Sequence, residues 1–127
     1  MNCSYNPYTL PTIDFIGGST QELVFHSYSM HNKGPIDLSS CTANFSIINF
    51  VNKHGAPIFS KQMQILLGND KNERVQNILK VILRPLDTVD LEGKFIYQIS
   101  IRDITGETEV PQGILYIFNN INKQFVR

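Results

Sequence analysis

The chain has no tryptophan and only two cysteines, Cys3 and Cys41. Two thiols are too few for a disulfide framework, and they lack the short spacings that zinc sites favour. A reduced, intracellular setting is the default for such a chain, with a single Cys3–Cys41 bridge as the alternative. Charge of one sign is also missing: eleven basic and eleven acidic residues cancel over 127 positions. A neutral chain lacks the electrostatic footprint of a nucleic-acid binder or of a protein held to an anionic membrane. The longest near-continuous apolar run, Ile78 to Leu83, is far too short to span a bilayer. The opening MNCSYNPYTLP has no basic start and no apolar stretch, so no signal peptide is expected.

Motifs that carry chemistry are equally scarce. The three histidines, His26, His31 and His54, have no carboxylate or second histidine at ligand spacing. No HxH, HExxH or CxxC occurs, and no GxSxG elbow to expose a nucleophile. Gly17-Gly18-Ser19-Thr20 lacks the lysine and the helix of a phosphate loop, and reads as a turn between strands. Asp87, Asp90 and Glu92 flank one corner, but their spacing matches no calcium loop, and a solvated turn is expected there. These absences argue for no catalytic residue, no metal and no cofactor, and so against an enzyme.

What is present is strand patterning. Apolar residues make up 42%, enough for one core without staples. Leu10 to Ile16 is a short run broken by Pro11, as an edge strand or a strand start allows. Gln21 to Met30 alternates, with Leu23 and Phe25 opposite Glu22, Val24 and His26. Asn32-Lys33-Gly34-Pro35 breaks the chain. Thr42 to Val51 alternates with Ala43, Phe45 and Ile47 on one face, while Ile48 and Phe50 make the other face apolar too. Ile58 to Leu67 is a weaker strand with Phe59, Met63 and Ile65 on one side, and the polar GNDKNE loop follows. Residues 75–83 fit either a strand or a helical stripe, and their Val, Ile and Asn content with Pro85 close behind favours the strand. Lys94 to Arg102 is the clearest strand, with Phe95, Tyr97, Ile99 and Ile101 inward. A hairpin loop at Asp103–Glu107 precedes the last strand, Gly113 to Phe118.

The count is about seven strands with turns about every 8–12 residues, the spacing of an all-β sandwich of antiparallel strands. One domain over 1–127 is expected, with its core at about 10–119 and a polar tail, 120–127, carrying Ile121 and Phe125. Within Pro35-Ile36-Asp37-Leu38-Ser39-Ser40-Cys41, Ile36 and Leu38 should face the core, the serines turn the chain, and Cys41 enter the core as a buried, unreactive thiol.

Several short motifs then fall in a recognisable order. They are Ile13 to Phe25 (IDFIGGSTQELVF), Gly34 to Cys41 (GPIDLSSC), Asp87 to Ile99 (DTVDLEGKFIYQI) and Gln112 to Leu115 (QGIL). The order resembles the immunoglobulin-like domain of phage and prophage structural proteins, and among these the N-terminal domain of the baseplate upper protein of phages infecting Gram-positive hosts. Those domains commonly read G-D-T/S…L-x-F early, P-x-D-L-T-G-A after the first hairpin, L-x-G-x-Y/F-x-x-x-I late and Q-G-x-I/L in the last strand. The resemblance covers residues 13 to 118. It implies an immunoglobulin-like β-sandwich that serves as a virion component, attaching fibre or receptor-binding parts to a tail or decorating the particle. It carries over no catalytic residue.

Two departures stand out. Cys41 takes the place of a small residue, and Phe95 stands where a tyrosine would make a tyrosine corner, so that hydrogen bond is expected to be missing. The short length after the last strand fits a free-standing small tail protein. The resulting expectation is a non-enzymatic tail or baseplate module, made in the bacterial host cytoplasm and carried in the virion. It would act through contacts with other phage structural proteins or with copies of itself, and with neither nucleic acid nor membrane. Phe45, Ile48, Phe50, Tyr28 and Phe125 are the candidate interface residues. The alternative is a carbohydrate-binding or adhesion module on the same fold, for which the tyrosines speak.

Overall fold

The computed structural model describes residues 6–27, 36–68 and 75–127. The expected elements at Cys3, Tyr28, His31, the 32–35 turn and most of the GNDKNE loop lie outside the described residues. The chain is predominantly β, with nine strands and two single-turn helices among the described residues. In order these are β1 (Ile13–Ile16), β2 (Gln21–His26), β3 (Thr42–Asn49), β4 (Phe59–Gln62), β5 (Gln64–Leu66), β6 (Ile78–Leu83), α1 (Pro85–Thr88), β7 (Gly93–Arg102), β8 (Thr108–Glu109), β9 (Gln112–Phe118) and α2 (Lys123–Val126). The segment with two readings, 75–83, is a strand from Ile78 onward.

Two sheets form. The larger runs β1-β9-β7-β3-β4, with β8 added to the end of β7, and the smaller runs β2-β6-β5. The expectation of wholly antiparallel strands is corrected at one place: β1 pairs with β9 in parallel, Ile13 opposite Leu115 and Ile16 opposite Phe118. The count rises from seven to nine because the short β8 forms beside β7 and because the stretch expected as one strand from Ile58 to Leu67 divides at Met63. Its first half pairs with β3 in the larger sheet, and its second half pairs with β6 in the smaller one. Met63 is buried at the corner, and its N–H donates to Ala43 O at 2.9 Å. A strand that bends across in this way joins the two layers at their edge. On the opposite side the β1–β2 turn makes the same crossing.

That turn explains its glycines. A Cβ on Gly17 would stand 2.6 Å from the Thr88 carbonyl oxygen and 3.1 Å from that of Leu91. Gly18 has φ +83° and donates its N–H to Thr88 Oγ1 at 2.9 Å. Thr88 is wholly buried and closes α1, whose first residue is Pro85, a position where the missing N–H costs nothing.

Inward positions of both sheets meet in one core. Phe15, Ala43, Phe45, Ile47, Phe95, Tyr97, Ile99, Leu115 and Ile117 come from the larger sheet, and Leu23, Leu79, Val81 and Leu83 from the smaller. Burying a side chain of this size fully is worth about 1.5–3 kcal/mol, so the two facing layers hold the fold. Phe45 has no exposed surface, which corrects its place among the interface candidates. Ile36 is also corrected: it is exposed, and of the pair only Leu38 reaches the core.

Tyr97 sits at the centre. Its ring stacks on Phe45 of its own sheet at 5.7 Å and leans on Phe25 of the other sheet at 5.8 Å. Its hydroxyl donates to the Pro11 carbonyl oxygen. Phe95, which stands where the resemblance would place the tyrosine of a tyrosine corner, has no hydroxyl; the buried hydroxyl-to-backbone bond here is that of Tyr97, two residues on. Gly113 lies directly opposite Tyr97 in the β7–β9 pairing, and a Cβ there would stand 2.6 Å from the ring. The glycine of the QGIL motif is the space into which the tyrosine leans.

Two consequences are measurable. Gly113→Ala overpacks the ring and should cost about 1–3 kcal/mol, read as a lower denaturation midpoint. Tyr97→Phe leaves the Pro11 carbonyl unpaired and should cost on the order of 1–2 kcal/mol. Burial also pushes the Tyr97 phenol above its ordinary value. The folded state therefore favours the neutral form. Its contribution is intact below the ordinary phenol range and is lost as pH rises, because the unfolded phenol ionises first. Alkaline unfolding titrations should show that loss in the parent protein and a smaller one in Tyr97→Phe.

Candidate functional site

The outward face of the larger sheet is graded along the strands. At one end it is polar. Ser46 bonds Ser60 at 2.8 Å, Gln98 Nε2 donates to Ser100 Oγ at 2.9 Å, and Gln112 Nε2 donates to Gln98 Oε1 at 2.8 Å. The next row across three strands is aliphatic: Ile48 opposite Ile96, and Ile96 opposite Ile114. Ile96 is buried although it points away from the core. Beyond it come Phe50, Lys94, Tyr116 and Asp14, then Phe118 beside Ile16.

Aromatic rings and ammonium groups converge in that row. Phe50 donates its N–H to Lys94 O at 3.1 Å, which fixes the two side by side. Lys94 Nζ lies 3.9 Å from the Phe50 ring centre and 5.9 Å from that of Tyr116. Lys53, from the exposed turn after β3, puts its Nζ 4.1 Å from the same Phe50 ring. It also donates to the Tyr8 hydroxyl at 3.3 Å, and the Tyr8 ring stands 6.1 Å from that of Phe50. Such contacts are worth about 0.5–1 kcal/mol each at exposed sites. Neither ammonium has a carboxylate partner among the described residues, whose ion pairs are Lys61–Asp87, Lys80–Glu22 and Arg127–Asp90.

Large apolar side chains lie open at this end. Ile16 is 55% exposed, Phe118 54%, Ile121 97% and Phe125 87%. The segment bearing the last two is tied down by Asn120, whose Nδ2 donates to Gly17 O at 2.7 Å, and by the Arg127–Asp90 pair. Of the interface residues read from sequence, Ile48 and Phe50 are half-buried on this outward face, Phe125 is exposed in α2, Phe45 is in the core, and Tyr28 lies outside the described residues. Sequence reasoning missed Lys53, Lys94, Tyr116 and Phe118, and considered Tyr8 only among the tyrosines of a carbohydrate-binding alternative. The available signal was the run Gly113 to Phe118, apolar at both parities in the same way as Ser46 to Phe50.

Cys41 and the carboxylates occupy the opposite end. Asp37 accepts from the Ser39 N–H and hydroxyl, both at 3.1 Å, so the carboxylate rather than the serines organises that turn. Asp103 accepts from the Thr105 hydroxyl at 2.6 Å and from the N–H groups of Thr105 and Glu107. The Thr105 hydroxyl bond, with those N–H bonds, holds its carboxyl below the usual range. Asp37, Asp103, Glu107 and Glu109 rim an open cleft floored by Leu38, Cys41 and Ile101. Among the described residues no three His, Cys, Asp or Glu side chains are grouped to hold a metal ion. At the α1 corner, Asp87 pairs with Lys61 and Asp90 with Arg127, so those carboxylates point to separate partners.

The expectation of a buried Cys41 is corrected: the side chain is half-buried, packed on the core on one side and facing the cleft on the other. Burial, then the charges of Asp103, Asp37 and Glu109, push its thiol above the ordinary value. No family model and no curated protein matches the chain.

Since the thiolate is the nucleophile, Cys41 should label more slowly than a free thiol near neutral pH, and its rate should climb over a higher pH range. In a Cys3→Ser background, reaction with a disulfide reagent in native buffer and in denaturant reads both. Native labelling as fast as the denatured chain would contradict this.

Proposed function

We propose that the chain is a non-enzymatic structural module of a phage or prophage virion, an immunoglobulin-like sandwich of the tail or baseplate that works through protein–protein contacts. The observation that carries the reading is the outward face of the larger sheet, where exposed Tyr116, Phe118 and Ile16 adjoin two ammonium groups that join no ion pair among the described residues. Aromatic and aliphatic surface rimmed by polar groups marks a protein contact better than it marks a small-molecule site.

The motifs that resemble the phage domain support the same reading by the work they do. Gly17 and Gly18 allow the β1–β2 crossing to press on α1, Leu38 fills the core, and Gly113 makes room for Tyr97. Each serves the fold and none serves a reaction. The partners are then other phage structural proteins or further copies of the chain, met during assembly in the host cytoplasm and retained in the virion. A carbohydrate-binding module would need an open ring face for the sugar. Phe50 offers none, because its ring is occupied by Lys53 and Lys94.

Particles induced from a host that carries the gene should contain this chain, detectable by mass spectrometry of a gradient-purified band. Phe118→Asp should fold normally, since the side chain is half exposed, and yet enter particles less well. A chain absent from intact particles, encoded among metabolic genes, would overturn the reading.

A further inference from the structure

We infer that the chain associates with itself head to tail, the lysine–aromatic face of one copy receiving the acidic end of the next. The inference rests on the reading of that face as a protein contact, and it names the partner. Lys53 and Lys94 share the Phe50 ring and lack carboxylate partners among the described residues. Tyr116, Phe118 and Ile16 lie exposed beside them. A complementary surface must therefore bring carboxylates set among apolar side chains.

The chain carries that combination at its other end. Glu107 and Glu109 are exposed, and neither joins an ion pair among the described residues. Asp37 and Asp103 rim the same cleft, and Ile104 and Val110 stand exposed next to them. Along β7, Lys94 is near the start and the acidic loop follows the end, a separation of roughly 25–30 Å at strand rise. One copy cannot lay its acidic end on its own lysines. Two different patches on opposite ends make a heterologous contact, which repeats from copy to copy and closes only as a ring. The charge contrast is local rather than global, since Asp14 shares the row of Lys94 and Tyr116 and Arg102 lies beside Thr108 at the acidic end; it rests on Lys53 and Lys94 at one end and on Glu107 and Glu109 at the other.

The test is sedimentation velocity of the full chain from micromolar to millimolar concentration at low and high salt. The expected result is growth beyond a dimer as concentration rises, weakened by salt. Lys94→Glu alone and Glu109→Lys alone should each weaken association roughly tenfold or more. An equimolar mixture of the two variants should restore it, since each supplies the charge the other needs. Both positions are exposed, and unchanged thermal melts confirm that the variants fold. A monomer at every concentration, single reversals without effect, or a mixture no better than its components would overturn the inference. Particles that contain a strictly monomeric chain would sink self-association and leave the virion reading standing. Self-association of a chain never found in particles would do the reverse.

Discussion

The Tyr97 side chain is the constraint on which the two layers depend. It touches an aromatic ring in each sheet and also reaches the backbone of the segment before β1. A buried hydroxyl without a partner would cost stability, so the phenol belongs at this site only because the Pro11 carbonyl is there to accept from it. The chain before β1 is held to the sheet by that bond and by the Leu10 N–H, which donates to Gln112 O at 3.0 Å. These contacts set the strand that pairs in parallel with β9. Gly113 completes the arrangement by withholding a side chain where the ring must pass.

The margins follow from the same need to keep two layers together. The chain crosses between sheets at Met63 on one side and at Gly17-Gly18 on the other, so covalent backbone joins the layers at both margins. Lys61 reinforces the first margin. It sits on β4 at an inward parity, and its ammonium leaves the core sideways to donate to Ile82 O at 3.2 Å and to pair with Asp87. A charged residue turned inward on an edge strand also discourages a foreign strand from adding there. Strand addition at this edge is thereby disfavoured.

Much of the fold was legible because period-two alternation is a local signal. β2, β3, β7 and β9 could be read from it, and their inward residues are the ones that fill the core. What could not be read has no local trace. The parallel pairing of Ile13 with Leu115 joins positions a hundred residues apart. The division at Met63 leaves the alternation of Phe59, Lys61, Met63 and Ile65 undisturbed, and only the choice of partner strand changes. Phe45 was mistaken for surface because a strand apolar on both faces does not say which face is outward. Its neighbours Ile48 and Phe50 carry the opposite parity and lie on the outward face. The lysines of the candidate site were invisible for a different reason: Lys53 and Lys94 are far apart in sequence and meet only because Phe50 follows a strand paired with β7.

Exposed lysines usually add little to a contact, because ordering a long side chain costs about as much as its charge returns. The pair on Phe50 escapes part of that cost. Each ammonium already rests on an aromatic ring, and Lys53 is further held by the Tyr8 hydroxyl. Ordering achieved before contact need not be supplied at the moment of contact, which raises the affinity a given charge can deliver. The same rings bring apolar area that is lost from water when a partner covers it. Charge and apolar surface are therefore coupled in one patch at one end of the larger sheet, and a partner that satisfies one must also fit the other. That coupling is what separates a specific surface from a scatter of exposed lysines and aromatics.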